Sequence, residues 1–204
     1  MKDKPSILFL QETKCSIEDL AKLFTIICKG SQSMAIDAKG ALGGIAIIWN
    51  PMQVSLSHFA STTHYLSVIF HILGTTIKVH LLNTYGPQTP ILETHFIHYL
   101  DWFVHSHSDS PIIIRGYFNM ILMLEEKKGG MRSLSKADQD FKDLVSNNGL
   151  IDLLPASRFF TWNNKRGSTH HIAKHLDRFL ISNNTLSLGG ILSFVILPTA
   201  RSYH

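Results

Sequence analysis

The chain has 204 residues, of which 45% are hydrophobic and 17% charged, a balance that supports a packed core and excludes an intrinsically disordered protein. Its longest apolar runs, 41–49 and 188–197, are well short of the roughly 20 residues of a membrane-spanning helix, and the run 7–10 is too short for the core of a signal peptide. The formal net charge of +4 is compatible with a polyanionic partner but does not identify one. We therefore expect one soluble, intracellular domain over 1–204.

The first elements in chain order are predicted to be a strand, a helix and a second strand. The apolar run 6–10 is typical of a strand that is buried on both faces. After it, apolar residues recur at three- and four-residue steps, which predicts a helix with Ser16 as its N-cap and Cys28 near its end. The run 43–49 predicts the second strand, which ends at the turn signal formed by Asn50 and the proline after it.

A hairpin and a longer helix are predicted next. The strand-like runs 65–72 and 76–82 are separated by a short segment that contains Gly74, as in a β-hairpin. Pro90 is typical of the first position of a helix, and the pattern after it extends to about Val104.

The remaining elements are short strands and one further helix. The run 112–115 predicts a strand that ends at Gly116, and 135–148 has the apolar spacing of a helix that stops before Gly149. Further short strands are predicted at 160–163, 175–181 and 191–197. Many strands with hairpin connections and few helices indicate an α/β fold of the α+β type. We expect a four-layer sandwich, in which two mainly antiparallel β-sheets pack face to face with the helices outside.

Polar side chains follow several apolar runs, at points where loops from different strands can converge. They are Glu12, Asn83, Tyr85, Asn119, Asp177 and the terminal His204. This set suits phosphodiester hydrolysis, because Glu12 and Asp177 can hold Mg²⁺, which prefers one or two carboxylates and several waters. His204, Tyr85 and Asn119 can donate hydrogen bonds to the charge that develops on the phosphate oxygens. A carboxylate to deprotonate the attacking water is not evident.

Six motifs occur in order along nearly the whole chain. They are FLQETK (9–14), GGIAIIWNP (43–51), NTYGPQ (83–88), GYFNMIL with EEKKGG (116–130), FTWNN (160–164) and LDRFLIS (176–182). The series resembles the endonuclease/exonuclease/phosphatase family, and most closely the endonuclease domain of plant LINE-type non-LTR retrotransposons. The resemblance implies DNA as the partner, Mg²⁺ or Mn²⁺ as the cofactor and residence in the nucleus, although no basic localisation signal is visible. It implies neither a membrane nor an obligate protein partner.

The resemblance also implies a role for each candidate residue. Glu12 would be the metal ligand, and Asp177 would complete the acidic metal side. Tyr85 would be a catalytic phenol beside the phosphate, Asn119 would position the phosphate or the water, and His204 would bind the scissile phosphate. The residues implied to line the substrate are Asn83, Trp162 and Asn163. Without the resemblance, the aromatic segment around Trp162 is also typical of a hydrophobic core.

The chain departs from the family pattern at two acidic positions and at both ends. The pattern G-D-F-N has Tyr117 in place of its aspartate, and S-D-H has Tyr203. A phenol with a pKa of about 10 is neutral at physiological pH, whereas a positioned general base contributes roughly 10² to 10⁴ in rate. Arg115 is unusual as well, since the pattern has an apolar residue or glycine there. The strands that open and close the family's fold are expected to be missing, as in an N- and C-terminally truncated domain.

Three functions are open from the sequence. The first is a Mg²⁺-dependent endonuclease that still nicks DNA. The second is a catalytically impaired or inactive remnant of a retrotransposon endonuclease, with at most residual nucleic-acid binding. The third is a phosphatase that acts on a phosphorylated lipid or small molecule, which the motifs at 49–51 and 160–164 disfavour. We favour the second hypothesis, because Tyr117 occupies the position of the water-activating aspartate.

Overall fold

A computed structural model of the chain describes residues 5–39, 42–155, 159–167 and 170–189. The helices in these ranges are α1 (Ile17–Ile27), α2 (Pro90–Ser106), α3 (Lys136–Asn147) and the short α4 (Asn183–Leu186). The strands are β1 (Ile7–Gln11), β2 (Gln32–Lys39), β3 (Leu42–Trp49), β4 (Val54–Ser61), β5 (Tyr65–Ile72), β6 (Lys78–Tyr85), β7 (Ile112–Tyr117), β8 (Lys127–Lys128), β9 (Ile151–Leu153), β10 (Trp162–Asn163), β11 (Ala173–Lys174) and β12 (Asp177–Ile181).

Two β-sheets form the centre of the fold. The six-stranded sheet has the order β4-β5-β6-β7-β12-β9, and its neighbouring strands are antiparallel except for the parallel pair β6 and β7. The three-stranded sheet has the order β1-β3-β2 and is antiparallel throughout. A third, small sheet consists of β10, β11 and β8, in that order.

Apolar side chains form three clusters, and these clusters define four layers. The first cluster lies between the two larger sheets and includes Ile47 and Leu66. The second, which includes Leu100, covers the other face of the six-stranded sheet with α2 and α3. In the third, Leu20 of α1 packs against Ala46 on the outer face of the three-stranded sheet. The predicted four-layer sandwich with two facing sheets and outer helices is therefore confirmed.

The helices begin where the sequence carries capping signals. The Ser16 hydroxyl accepts a hydrogen bond of 3.1 Å from the backbone N–H of Asp19, which confirms Ser16 as the N-cap of α1. Ser135 and Asp138 form a capping box at the start of α3. Pro90 is the first residue of α2, where its missing N–H costs no hydrogen bond.

The strands differ from the sequence-based prediction in several places. The sequence pattern does not predict β2 or β4, because neither shows a continuous apolar run. The predicted strand 112–115 extends through Tyr117, so that Tyr117 ends β7 instead of opening a loop. Gly116 permits this continuation, since a Cβ atom at this position would lie only 2.3 Å from Cγ2 of Thr84 on β6. The predicted strand 175–181 is shortened to β12.

Other sequence-based predictions are not addressed by the described residues. The predicted strand 191–197 lies outside them. The single domain over 1–204 and the missing terminal strands stay predictions. None of the described helices is long and apolar enough to cross a lipid bilayer.

Candidate functional site

Three side chains form a row across the ends of three neighbouring strands of the six-stranded sheet. Tyr85 ends β6 and Tyr117 ends β7, and the two residues are partners in the parallel register. Asp177 begins β12 and is the partner of Tyr117 in the antiparallel register on the other side. Because directly paired residues on neighbouring strands share a face of the sheet, the predicted Tyr85 and Asp177 lie on the same face, with Tyr117 between them.

Glu12 joins this row from the facing three-stranded sheet. It follows β1 directly and has a left-handed backbone conformation with φ of 49°, which is uncommon for residues other than glycine and is concentrated at functional sites. The Tyr85 hydroxyl donates a hydrogen bond of 2.9 Å to Glu12 Oε1. The contact brings two predicted site residues together across the space between the sheets.

The two phenols of the row lie against each other. The rings of Tyr85 and Tyr117 are stacked, with 5.3 Å between their centroids and 14° between their planes. Burial raises the pKa of both hydroxyls above the usual value, and the nearby carboxylates act in the same direction. Both phenols therefore stay protonated at physiological pH. They can donate hydrogen bonds to a phosphate but cannot act as the general base for water.

Asp177 forms an ion pair inside the site. Its Oδ1 lies 3.3 Å from Nη2 of Arg115, and the two side chains are only 27% and 20% exposed, respectively. The Arg115 guanidinium lies over the ring of Phe179, with 5.8 Å from its central carbon to the ring centroid. Burial raises the pKa of Asp177, and Arg115 opposes this effect. The sequence marks Arg115 as unusual but does not predict this pairing.

Asn119 lies in the loop after β7 and is held by the backbone after β6. Its backbone is left-handed, with φ of 61°, which asparagine tolerates better than most residues. Its Nδ2 donates a hydrogen bond of 2.5 Å to the carbonyl oxygen of Gly86, and the Gly86 N–H donates one of 2.6 Å to the carbonyl oxygen of Tyr117. These bonds fix Asn119 close to the ends of β6 and β7.

Asn83 lies inside the sandwich and is not on its surface. It is fully buried, and its Nδ2 donates hydrogen bonds of 3.0 Å and 2.8 Å to the carbonyl oxygens of Leu10 and Ala46 on the facing sheet. Its Oδ1 accepts a hydrogen bond from the amide of Gln11. We interpret Asn83 as a residue that joins the two sheets, because its side-chain amide forms hydrogen bonds with three residues of the facing sheet. The substrate contact predicted for it from the sequence would require these bonds to break.

Trp162 and Asn163 form β10 at the margin of the site. The side chain of Thr161, the residue before β10, accepts hydrogen bonds of 2.9 Å and 3.0 Å from the backbone N–H groups of Leu176 and Asp177. Both β10 residues are exposed, which places them where a substrate can reach them. Their substrate-binding role stays a prediction.

The other predicted site residues, Tyr203 and His204, lie outside the described residues.

The donor set does not fit a divalent metal ion well. Of the two predicted ligands, Glu12 accepts a hydrogen bond from Tyr85, and Asp177 is paired with Arg115. In the part of the chain that the structure describes, no group of three or more His, Cys, Asp or Glu side chains is arranged to hold a metal ion. A fixed guanidinium next to Asp177 disfavours a second cation at the same carboxylate. The geometry therefore supports no chemical step through a metal at this site.

A buried ionic cluster behind the site is not evident from the sequence. Arg178 is fully buried, and its guanidinium donates to both carboxylate oxygens of Glu126, to Asp152 and to the carbonyl oxygen of His175. Arg178 follows Asp177 on β12, and successive strand residues point to opposite faces of a sheet. The cluster therefore lies on the helix-covered face, away from the two phenols. The one sign of this cluster in the sequence is the pair of adjacent charged residues, Asp177 and Arg178, within the otherwise apolar segment LDRFLIS (176–182).

The cluster also holds the loop that follows β7. Glu126 is only 1% exposed, and one of its carboxylate oxygens accepts a hydrogen bond of 2.6 Å from the backbone N–H of Leu122. This loop contains Asn119. Arg178 therefore links the strand that carries Asp177 to the loop that carries Asn119. It holds this strand and this loop together from the helix-covered face of the sheet.

The sequence matches no protein-family model and no curated protein. The structure is similar to many solved structures, among them the following three. The endonuclease domain of TRAS1, a telomere-specific non-LTR retrotransposon, aligns with a TM-score of 0.64 and 15% identity over 90% of this chain and 88% of that domain. The human Nocturnin catalytic domain with bound sulfate aligns with a TM-score of 0.58 and 15% identity over 88% of this chain and 70% of that one. The TDP2 protein of D. rerio in complex with a single-strand DNA product aligns with a TM-score of 0.58 and 13% identity over 87% and 71%.

These identities are low, so the similarity is informative about the backbone arrangement alone. The alignments cover 87–90% of this chain with TM-scores of 0.58–0.64. The chain has the endonuclease/exonuclease/phosphatase fold.

Proposed function

We propose that the chain is a retrotransposon-derived endonuclease domain that has lost catalysis and retains at most binding to DNA. Its ancestral activity would be the Mg²⁺-dependent nicking of DNA, with Mn²⁺ as a substitute ion. The observation that carries the proposal is the position of Tyr117, which lies between Tyr85 and Asp177 where the resemblance puts a water-activating aspartate. A protonated phenol at this position cannot accept a proton from the attacking water.

The two carboxylates of the site do not replace the missing base. The Glu12 carboxylate is hydrogen-bonded to Tyr85, and the charge of Asp177 is balanced by Arg115. The Asp177 carboxylate is held by Arg115 at 3.3 Å, and turning it toward an attacking water would leave that partly buried cation unpaired. The arrangement thus retains hydrogen-bond donors for a phosphate and lacks the group that would start hydrolysis.

Residual DNA binding is supported by a basic row on the small sheet. Trp162 of β10, Lys174 of β11 and Lys127 of β8 are consecutive partners across the sheet, so their side chains share one face. An exposed tryptophan can stack on a base, and lysines can contact phosphates. The net charge of +4 is favourable for the same partner.

A plasmid-nicking assay tests the loss of catalysis. We expect the purified 204-residue chain to leave supercoiled DNA intact in the presence of Mg²⁺ or Mn²⁺. Nicking that disappears in a Glu12→Ala variant would show that the domain is an active endonuclease, and it would refute the proposal. Activity that survives Glu12→Ala would indicate a contaminating nuclease. In that case the preparation is purified further until nicking disappears or depends on Glu12.

A repair experiment separates the causes of inactivity. Tyr117→Asp restores the acid between Tyr85 and Asp177, and Tyr203→Asp restores the second acid of the family pattern. Recovery of nicking in the double variant would show that these replacements are the dominant defect. Continued inactivity of a folded double variant would assign the defect to other changes, such as Arg115.

DNA binding is measured separately, by fluorescence anisotropy with a labelled duplex. We expect Lys174→Ala to weaken binding by about two- to tenfold, with a smaller dependence on salt, because one phosphate contact is lost. Lys142→Ala is the matched control, since Lys142 is an exposed lysine on α3. Equal affinities of the two variants would contradict the role of the small sheet.

A further inference from the structure

We propose that Arg115 is a built-in cation that takes the place of a divalent metal ion, so that the acidic side of the site is charge-balanced without one. This inference rests on the proposed function, because it explains how the site of a former metal-dependent enzyme remains stable without catalysis. It concerns metal binding and not activity, so it can be tested independently.

The position of Arg115 supports this role. Side chains alternate along β7, with Ile112 and Ile114 packed toward α2 and α3 and Ile113 toward the facing sheet. Arg115 therefore points into the space between the two sheets, on the same face as Tyr117. A charged group at this depth requires a partner of opposite charge, and Asp177 provides it at 3.3 Å.

The guanidinium has few alternatives to this partner. Its Nη1 is buried and has no hydrogen-bond partner among the described residues, and its flat face lies over the ring of Phe179. Moving Arg115 away from Asp177 would leave a partly buried cation unpaired, which is strongly destabilising. The ion pair is therefore a fixed part of the site.

A metal ion at Asp177 would compete with this pair. A Mg²⁺ ion bound to Asp177 Oδ1 at about 2.1 Å would lie no more than about 5.4 Å from the Arg115 nitrogen that is 3.3 Å from this oxygen. A divalent cation and a guanidinium repel each other strongly at this separation in a partly buried site. Without Asp177, the remaining predicted ligand is Glu12, an exposed carboxylate that is also hydrogen-bonded to Tyr85.

Mn²⁺ binding tests the inference, with the electron paramagnetic resonance signal of free Mn²⁺ as the readout. We expect the unaltered chain and Arg115→Lys, which keeps the charge, to leave the signal unchanged. We expect Arg115→Met to bind Mn²⁺ about tenfold or more tightly, because the repelling charge is removed and the carboxylate is released. Adding Asp177→Asn to Arg115→Met should abolish the gained binding.

Two results would overturn the inference. One is Mn²⁺ binding by the unaltered chain that is lost in Asp177→Asn or Glu12→Gln. The other is a folded Arg115→Met variant that binds no more Mn²⁺ than the unaltered chain. Should Arg115→Met fail to fold, Arg115→Gln serves in its place, and the titrations of the unaltered chain and of Asp177→Asn test the inference independently.

The outcome is distinguishable from that of the proposed function. Mn²⁺ binding by the unaltered chain without nicking would refute the role of Arg115 and leave the loss of catalysis in place. Nicking that depends on Glu12 would refute the proposed function itself.

Discussion

Replacing Arg178 with methionine removes the centre of the buried cluster while keeping a side chain of similar length. In the native structure the Arg178 guanidinium is fully buried and donates to Glu126, Asp152 and the carbonyl oxygen of His175. The variant leaves Glu126, which is 1% exposed, with the Leu122 N–H as its remaining hydrogen-bond donor in this cluster. Two carboxylates then lie close together at a buried position without their cation.

The expected loss of stability follows from the cost of a buried, unpaired charge. Removing one partner of a buried ion pair typically costs about 3–5 kcal/mol. A domain of this size is stable by about 5–15 kcal/mol in total. Since each kcal/mol shifts the midpoint of thermal unfolding by about 2–4 °C at this chain length, we expect Arg178→Met to lower it by about 6–20 °C.

Thermal and urea unfolding, followed by circular dichroism, measure this effect. Lys142→Met is the matched control, because it removes an exposed positive charge and should change the free energy of unfolding by less than about 0.5 kcal/mol. Replacing Arg178 and Glu126 together by apolar residues should cost less than replacing Arg178 alone, since no unpaired carboxylate of Glu126 is left. A loss below about 1 kcal/mol for Arg178→Met would refute the interpretation of the cluster as a central support of the fold.

Two further variants test close packing and pH dependence. Gly116→Ala should destabilise the fold by about 1–3 kcal/mol in urea unfolding, because the new Cβ would lie 2.3 Å from Thr84 Cγ2. Gly167→Ala is the control and should be neutral, since no described atom lies within 4 Å of a Cβ there, and equal effects of the two variants would exclude close packing at Gly116 as the cause. Burial, and then the neighbouring His107, lowers the pKa of His80 from 6.5 to about 4. Between these pH values the unfolded chain binds a proton that the folded chain does not, so stability is fully present above about pH 6.5 and falls as the pH decreases toward 4. His80→Phe should reduce the difference in stability between pH 7 and pH 5, and an unchanged difference would exclude His80 as a source.

The elements predicted well from the sequence are those whose burial is periodic. The helices α1 and α3 each carry an apolar face; α1 begins after its predicted cap Ser16, and α3 begins one residue after the predicted start at 135. The strand β4 lies at the edge of its sheet and is mostly exposed, so its sequence lacks the apolar run that reveals β5 and β6. Edge position is a property of the assembled sheet, and a single segment does not encode it.

The candidate site was predictable in part, since motif positions identify side chains but not their partners. Tyr85 and Asp177 lie in one row as the strand ends suggest, and Glu12 reaches Tyr85 from the other sheet. By contrast, the burial of Asn83 and the pairing of Arg115 depend on how two sheets face each other. Contacts between residues so distant in the chain leave no periodic signal in the sequence.

Because side chains alternate along β12, the residue that supports the fold and the residue of the candidate site point to opposite faces of the sheet. Asp177 faces the phenols, whereas Arg178 faces the helices and holds the strand through Glu126 and Asp152. Substitutions on the phenol side therefore leave the cluster on the helix side intact. A domain built in this way can exchange side chains on the phenol side and keep the ion pairs that hold the same strand from the helix side.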